Sequence, residues 1–90
     1  MKYLIACLGN IGVEYDNTRH NIGFKVADYL NEDLKGTFTT SRLAQVSELK
    51  YKGRTLVVIK PTTYMNLSGK AVKYWMQQEK IPIENILVVL

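Results

Sequence analysis

The sequence predicts an α/β fold, with a mixed central sheet flanked by helices in a three-layer α/β/α arrangement. Three patterns carry the prediction. Residues 2–8, apolar from Tyr3 onward, and the continuous apolar run at residues 86–90 are typical of buried strands. Residues 21–34 repeat apolar side chains every four positions, as a helix packed on a sheet does. Residues 44–51 alternate between apolar and polar side chains, Lys52-Gly53 follows as a turn, and residues 55–59 form the returning strand, which together predict a β-hairpin.

The remaining elements follow from local signals along the chain. Two glycines and an asparagine in residues 9–12 predict a tight loop after the first strand. Gly36 is a predicted helix stop, and Pro61 ends the strand over residues 55–59. A second helix is predicted over residues 66–79, with Asn66 or Ser68 as a candidate cap.

The last predicted strand, residues 86–90, has the pattern of a central strand covered on both faces. The other predicted elements do not cover both faces of this strand, and an exposed apolar edge strand promotes aggregation. We therefore expect the chain to be truncated after a central strand, whose missing neighbours lie outside these 90 residues. Dimerisation through this strand is the alternative.

Composition excludes several classes of protein. With 47% hydrophobic and 22% charged residues, the chain is neither disordered nor collagen-like. One cysteine excludes an internal disulfide framework and a cysteine-cluster metal site. No apolar run approaches the ~20 residues of a membrane helix, and the first residues lack a signal-peptide pattern. These features predict a cytoplasmic protein without a membrane partner.

Charge is concentrated in the middle of the chain. Residues 35–73 carry eight Lys and Arg against Glu48 alone, a net +7, although the whole chain is only +4. Such a segment can attract phosphate backbone, although on charge alone a solvated surface is the simpler explanation.

Three polar residues are candidates for chemistry. His20 is the single histidine, and its ordinary pKa near ~6.5 suits a base at neutral pH. It precedes the first predicted helix, where α/β proteins place ligands, and no second histidine or cysteine nearby completes a metal site. Asn10 could donate and accept hydrogen bonds with a substrate, or simply form a turn. Asn66 could hold a water or oxyanion, or cap its helix.

Aromatic and sulfur-containing residues lie both in the predicted loops and in the predicted core. Tyr15 and Tyr64 lie in predicted loops, where they could stack on bases or wall a pocket. Tyr74 and Trp75 have helical spacing and are interpreted as core. Cys7 lies within an apolar strand and is interpreted as packing rather than as a nucleophile.

Two longer blocks of the sequence are distinctive: LGNIGVEYDNTRHNIGF over residues 8–24 and KPTTYMNLSGKAV over residues 60–72. They resemble the two signatures of bacterial peptidyl-tRNA hydrolase. The family domain is about twice as long, so the chain resembles its amino-terminal half. The resemblance implies hydrolysis of the ester that joins a peptide to the 3′-terminal adenosine of tRNA, which recycles tRNA for translation. It implies no cofactor, no metal and a monomeric full-length protein.

The resemblance also implies roles for individual residues. His20 matches the family's catalytic base, and Asn10 matches the asparagine that recognises the peptide. Asn66 matches the asparagine that binds substrate at the reacting centre. Tyr15 and Tyr64 match aromatic residues that line the site for the tRNA end, with Met65 on the adjoining wall.

Two departures from the family pattern affect the expected activity. Ile11 replaces the usual proline, which alters loop stiffness more than chemistry. The family's aspartate that orients the histidine follows the strand at residues 86–90, and Leu90 is the last residue here. A later asparagine and the carboxyl-terminal basic residues are also absent. We therefore expect the 90-residue chain to be inactive or weakly active. The alternative function is a non-catalytic tRNA-binding module that uses residues 35–73.

Overall fold

The computed structural model describes residues 1–9, 22–62 and 67–89. These residues form five strands and two helices, with a short 3₁₀ turn (Ile83–Asn85) before the last strand. In chain order the elements are β1 (Lys2–Cys7), α1 (Ile22–Asp33), β2 (Thr39–Ser41), β3 (Ala44–Tyr51), β4 (Arg54–Pro61), α2 (Ser68–Gln78) and β5 (Ile86–Val89).

The strands form one mixed sheet in the order β2-β3-β4-β1-β5. β1 pairs in parallel with β4 on one side and β5 on the other, so that Leu4 lies beside both Val57 and Ile86. β2, β3 and β4 pair antiparallel. The predicted mixed α/β fold is confirmed. β1, the first strand along the chain, lies between β4 and β5 and is parallel to both.

Alternation along β1 divides the apolar residues between two cores, one on each face of the sheet. Leu4 and Ala6 face α2 and pack with Trp75, whose indole Nε1 donates to the Arg42 carbonyl at 2.8 Å. Ile5 and Cys7 face α1 in a second cluster that also contains Ala27, Leu49 and Val58. The three layers are therefore α1, sheet and α2, and the prediction that Trp75 belongs to the core is confirmed.

The predicted hairpin joins β3 to β4. Lys52 and Gly53 both have positive φ, 49° and 77°, which is the geometry of a tight two-residue turn matched to strand twist. At the end of α1 the left-handed residue is Lys35, with φ 57°, rather than Gly36. Gly36 instead packs closely, since a Cβ there would meet the Ser47 hydroxyl at 2.6 Å. The predicted stop therefore lies one residue too far along the chain.

Two strands differ from expectation. β2 was not predicted, because its three residues are polar and exposed, and only their pairing with β3 defines the strand. β5 begins where predicted but lies at the sheet edge of the described residues, with Leu87 59% and Val88 45% exposed. Among residues 1–9, 22–62 and 67–89, no further strand or helix covers the outer side of β5.

Candidate active site

The carboxyl ends of β4, β1 and β5 meet at one edge of the sheet, here called the carboxyl edge. Their parallel pairing brings Pro61, Cys7 and Val89 to the same side. β1 is followed along the chain by α1 and β4 by α2, and these helices lie on opposite faces. In open α/β sheets, such a divergence between adjacent parallel strands creates the crevice in which ligands bind.

The first turn of α1 is fixed directly against this edge. Gly23 is buried, and a Cβ at that position would lie 2.7 Å from the Val89 carbonyl oxygen and 2.8 Å from the Leu8 nitrogen. The Leu8 carbonyl oxygen would be closer still. The Leu8 N–H donates to the Val89 carbonyl at 2.8 Å, so the ends of β1 and β5 form one backbone surface under the helix. Only a residue without a side chain allows this approach.

α2 also begins at the carboxyl edge. Gly69 lies beside Leu8 and Val88 in one groove, whereas Glu79, just after the helix, accepts a 3.0 Å bond from Lys2 at the start of β1. The positive ends of both helix dipoles therefore lie at the edge where the two signature blocks begin, an arrangement that favours negative charge there.

The predicted cap of α2 is partly wrong. The N-cap residue is Leu67, which has no side-chain oxygen, and Ser68 is already the first helical residue. The Ser68 hydroxyl is buried and has no hydrogen-bond partner among the described residues. Asn66, the other candidate cap, lies outside the described residues.

All six predicted site residues lie outside the described residues. Asn10, Tyr15 and His20 fall in residues 10–21, and Tyr64, Met65 and Asn66 fall in residues 63–66. The flanking residues are described: Gly9 and Ile22 bound the first segment, and Thr62 and Leu67 bound the second. Both segments thus leave from strand ends at the carboxyl edge and lead into helices that begin there.

An ion pair that the sequence did not indicate joins β4 to α1. The Lys60 Nζ lies 2.6 Å from the Asp28 Oδ1 and 4.3 Å from the centre of the Phe38 ring. The Lys60 side chain is largely buried, so this pair fastens the end of β4 to the middle of α1. The two residues are 32 positions apart, and no local pattern signals such a contact.

Cys7 is a packing residue, as predicted. Its side chain is buried at the end of β1, and burial raises the pKa of the thiol from 9.0 to about 11, with Lys60 acting in the opposite direction. The thiol is therefore neutral at physiological pH and is a poor nucleophile.

The basic segment is divided between the two ends of the sheet. Arg42 lies at the carboxyl edge, since Leu43 accepts from the Thr62 N–H at 2.9 Å. At the opposite end, Thr55 donates to the Met1 carbonyl at 3.0 Å beside the β3–β4 turn. The carboxyl-edge group comprises Arg42, Lys60, Lys70 and Lys73, and the remote group comprises Lys35, Lys50, Lys52 and Arg54.

Two kinds of site are not seen in the part of the chain that the structure describes. It contains no group of three or more His, Cys, Asp or Glu side chains placed to hold a metal ion. Neither α1 nor α2, the two helices of those residues, has the length and apolar character needed to cross a membrane.

Comparison with known proteins agrees with the two sequence blocks. The family model for peptidyl-tRNA hydrolase matches residues 4–90. The peptidyl-tRNA hydrolase of Cytophaga hutchinsonii is 65% identical over 89 residues, which are 99% of this chain and 47% of that protein. The Phocaeicola vulgatus peptidyl-tRNA hydrolase is 59% identical over the whole chain and 48% of its own length.

Solved structures show the same fold. The crystal structure of peptidyl-tRNA hydrolase from Acinetobacter baumannii superposes with a TM-score of 0.89 at 33% identity. The superposition covers 96% of this chain and 45% of that one. The chain thus spans about half the length of the curated relatives it matches. By sequence, family model and fold, it belongs to the peptidyl-tRNA hydrolase family.

Proposed function

We propose that this chain supplies the amino-terminal half of an active site that hydrolyses the ester between a peptide and the 3′-terminal adenosine of tRNA. The observation that carries the proposal is the position of the two signature blocks. Both blocks leave from the carboxyl ends of adjacent parallel strands, β1 and β4, whose following helices lie on opposite faces. Recycling of tRNA for translation is the biological role that follows.

His20 is proposed as the general base that takes a proton from the attacking water. An ester carbonyl needs an activated nucleophile, and a neutral imidazole is the natural side-chain base near pH 7. The competing nucleophile in the neighbourhood, Cys7, is unsuitable because its thiol is buried and protonated. Hydrolysis by activated water therefore fits the described residues better than a covalent thioester route.

Asn10 and Asn66 are proposed to act at the two sides of the scissile ester. Asn10 directly follows Gly9 at the end of β1, and its amide would recognise the peptide part of the substrate. Asn66 directly precedes Leu67 at the start of α2, and its amide would bind substrate at the reacting centre. The positive end of the α2 dipole adds to the stabilisation of a tetrahedral oxyanion.

Tyr15, Tyr64 and Met65 are proposed to line the site for the tRNA end. An aromatic face can stack on a base regardless of its sequence, and a thioether packs against it adaptably. No metal or organic cofactor is required in this scheme. Cytoplasmic location and a monomeric full-length protein remain predictions.

The test uses a chimera in which this chain replaces the matching 47% of the Cytophaga hutchinsonii protein. In the chimera, His20→Ala should lower kcat/KM for peptidyl-tRNA by about 10²- to 10⁴-fold, the usual contribution of a general base. Thr40→Ala, an exposed change in β2, is the control and should leave kcat/KM within twofold. Near-parental turnover by His20→Ala would end the assignment.

The 90-residue chain by itself is proposed to have little or no activity, because it spans about half of its relatives' length. Turnover comparable to that of the chimera would contradict this. A second function, tRNA binding without cleavage, is favoured by one observation: Arg42, Lys70 and Lys73 are exposed near the carboxyl edge. Salt-dependent binding of tRNA by the isolated chain, without ester cleavage, would support it.

A further inference from the structure

Lys60 is the first residue of the second signature block, and the proposed reaction gives it no role. It lies near the carboxyl end of β4, on the face of the sheet that α1 covers. Its Nζ atom contacts the Asp28 Oδ1 at 2.6 Å and lies 4.3 Å from the centre of the Phe38 ring. Because the side chain is only 17% exposed, its charge has lost most of its water and depends on these two partners.

Asp28 and Lys60 belong to elements that adjoin the two different segments carrying the predicted site residues. Asp28 lies in α1, which begins at Ile22 directly after residues 10–21. At about 1.5 Å of rise per residue, Asp28 lies about 9 Å beyond the start of the helix. Lys60 comes shortly before residues 63–66, about 10 Å away along an extended strand. The ion pair therefore connects the helix that follows the first segment with the strand that leads into the second.

The polar contacts of α1 are suited to set its rotation against the sheet. The buried residues of the helix are Gly23 and Ala27, whose small size allows close approach but interlocks little with the strands. Two polar contacts are directional: the Asn31 Oδ1 accepts from a hydroxyl of β3 at 2.6 Å, and Asp28 pairs with Lys60 on β4. Of these two contacts, the second lies on a strand that enters a signature block.

Removing the Asp28 carboxylate would leave the Lys60 ammonium buried without its counter-ion, and a shift of the side chain towards water would relieve this unfavourable state. Such a shift breaks the link between β4 and α1, while the apolar contacts of both elements keep the chain folded. The Asp28 side chain is 59% exposed, so a substitution there creates no cavity in the core. The pair is thus better suited to fix a relative position than to supply most of the stability.

We propose that the Asp28–Lys60 ion pair positions the two segments of the site, so that His20 in the first and Asn66 in the second are held at the separation that ester hydrolysis requires. This inference rests on the proposed function, because it assigns the pair an effect on that reaction. Asp28 and Lys60 act as positioning residues and do not touch the reacting atoms. A misplacement of about 1 Å can lower a rate about 100-fold, so a small shift of α1 against β4 is expected to lower kcat. KM should change little, because phosphate contacts dominate affinity for nucleic acids and depend on other residues.

The first experiment compares kcat and KM for peptidyl-tRNA in the chimera with the Cytophaga hutchinsonii protein. Asp28→Asn keeps the shape of the side chain but removes its charge, and should lower kcat by about 10- to 100-fold while KM stays within about threefold. Asp28→Glu keeps the carboxylate and has room to adjust at the surface, so it should recover kcat to within about threefold of the parent. Glu79→Gln is the matched control, because it breaks the 3.0 Å ion pair with Lys2 at the opposite end of the sheet. It should leave kcat within about twofold.

A double-mutant cycle tests whether Asp28 and Lys60 act as one unit. Lys60→Met removes the charge and keeps an unbranched side chain against Phe38. It should lower kcat as Asp28→Asn does, and the double variant should be worse than either single variant by no more than about twofold. Losses that multiply in the double variant would overturn the proposal. Near-parental kcat in Asp28→Asn, failure of Asp28→Glu to recover kcat, or an equal loss in Glu79→Gln would also overturn it.

Nuclear magnetic resonance of the substrate-free chimera gives a readout that does not need turnover. Asp28→Asn should shift the backbone amide resonances of residues 63–66, and Lys60→Met should shift the imidazole resonances of His20, because each change reaches the other segment through the ion pair. Glu79→Gln should shift neither set, and unchanged resonances in both test variants would overturn the proposal. If His20→Ala retains turnover, the proposed function fails and this inference with it. If His20→Ala loses turnover while Asp28→Asn keeps parental kcat, only this inference fails.

Discussion

Replacing Gly23 by alanine tests whether the first turn of α1 is held by backbone contact with β1 and β5. Alanine is the better helix former by up to about 1 kcal/mol, so propensity alone predicts a more stable chain. The structure predicts the reverse. A Cβ at residue 23 would lie 2.7 Å from the Val89 oxygen and 2.8 Å from the Leu8 nitrogen, and nearer still to the Leu8 oxygen.

The expected magnitude follows from the displacement that these contacts require. Ordinary van der Waals contact begins near 3.4 Å, so even the 2.7 Å contact must lengthen by about 0.7 Å. All three neighbours are backbone atoms, of Val89 in β5 and of Leu8 directly after β1, and these two residues are hydrogen-bonded to each other, so the atoms cannot rotate away. Overpacking of this kind costs roughly 1–3 kcal/mol, which exceeds the gain in propensity at a first-turn position. We expect a net loss of about 1–2 kcal/mol.

Urea unfolding of the 90-residue chain provides the measurement. With an m-value of about 1 kcal/mol per molar, this loss lowers the midpoint by about 1–2 M. Gly69→Ala is the matched control, because Gly69 is the second residue of α2 and no atom of the described residues lies within 4 Å of its Cβ position. That variant should be unchanged or stabilised by up to about 1 kcal/mol. Equal stabilisation by both substitutions would refute the close-contact reasoning.

Two further predictions concern charge. The double variant Lys70→Ala/Lys73→Ala should make the slope of log binding constant for tRNA against log salt concentration shallower by about 0.7–0.9 per lost phosphate contact. An equal change in slope from the remote pair Lys50→Ala/Lys52→Ala would contradict tRNA binding at the carboxyl edge. Because burial raises the pKa of Cys7 to about 11, the neutral thiol stabilises the fold below pH 9, and this contribution is lost as the pH rises through 11. As the pH is raised from 9 to 11, the free energy of unfolding should fall less for Cys7→Ala than for the parent chain. The same fall in both chains would show that ionisation of Cys7 is not linked to unfolding.

Local patterns predicted the elements whose signals are local. The β3–β4 turn follows from Lys52-Gly53, and β3 begins and ends at the predicted residues. The turn before β3 gave no such signal, because Leu43 adopts a positive φ of 64° without being glycine or asparagine. β2 depends entirely on pairing with β3, and pairing between separate segments leaves no trace in a short polar sequence.

For the candidate site, too, the sequence predicts which residues take part but not which strands bring them together. His20, Asn10 and Asn66 were singled out by residue type and by long signature blocks, which need no knowledge of sheet order. That their segments leave from neighbouring strands became clear only from the pairing of β1 with β4. The Lys60–Asp28 ion pair does not follow from the sequence, because a local hydrophobic pattern does not show that β4 and α1 pack against each other.

The central position of β1 has a consequence for how the chain folds during synthesis. β1 comes before all the other strands along these residues, yet its pairing partners are Arg54–Pro61 and Ile86–Val89, which are made much later. Non-local parallel pairing of this kind slows folding, because loop closure precedes any stabilising contact. Until β5 emerges, the apolar strand at the amino terminus has one open side. The nascent chain is therefore a candidate client for chaperones until β5 has been made.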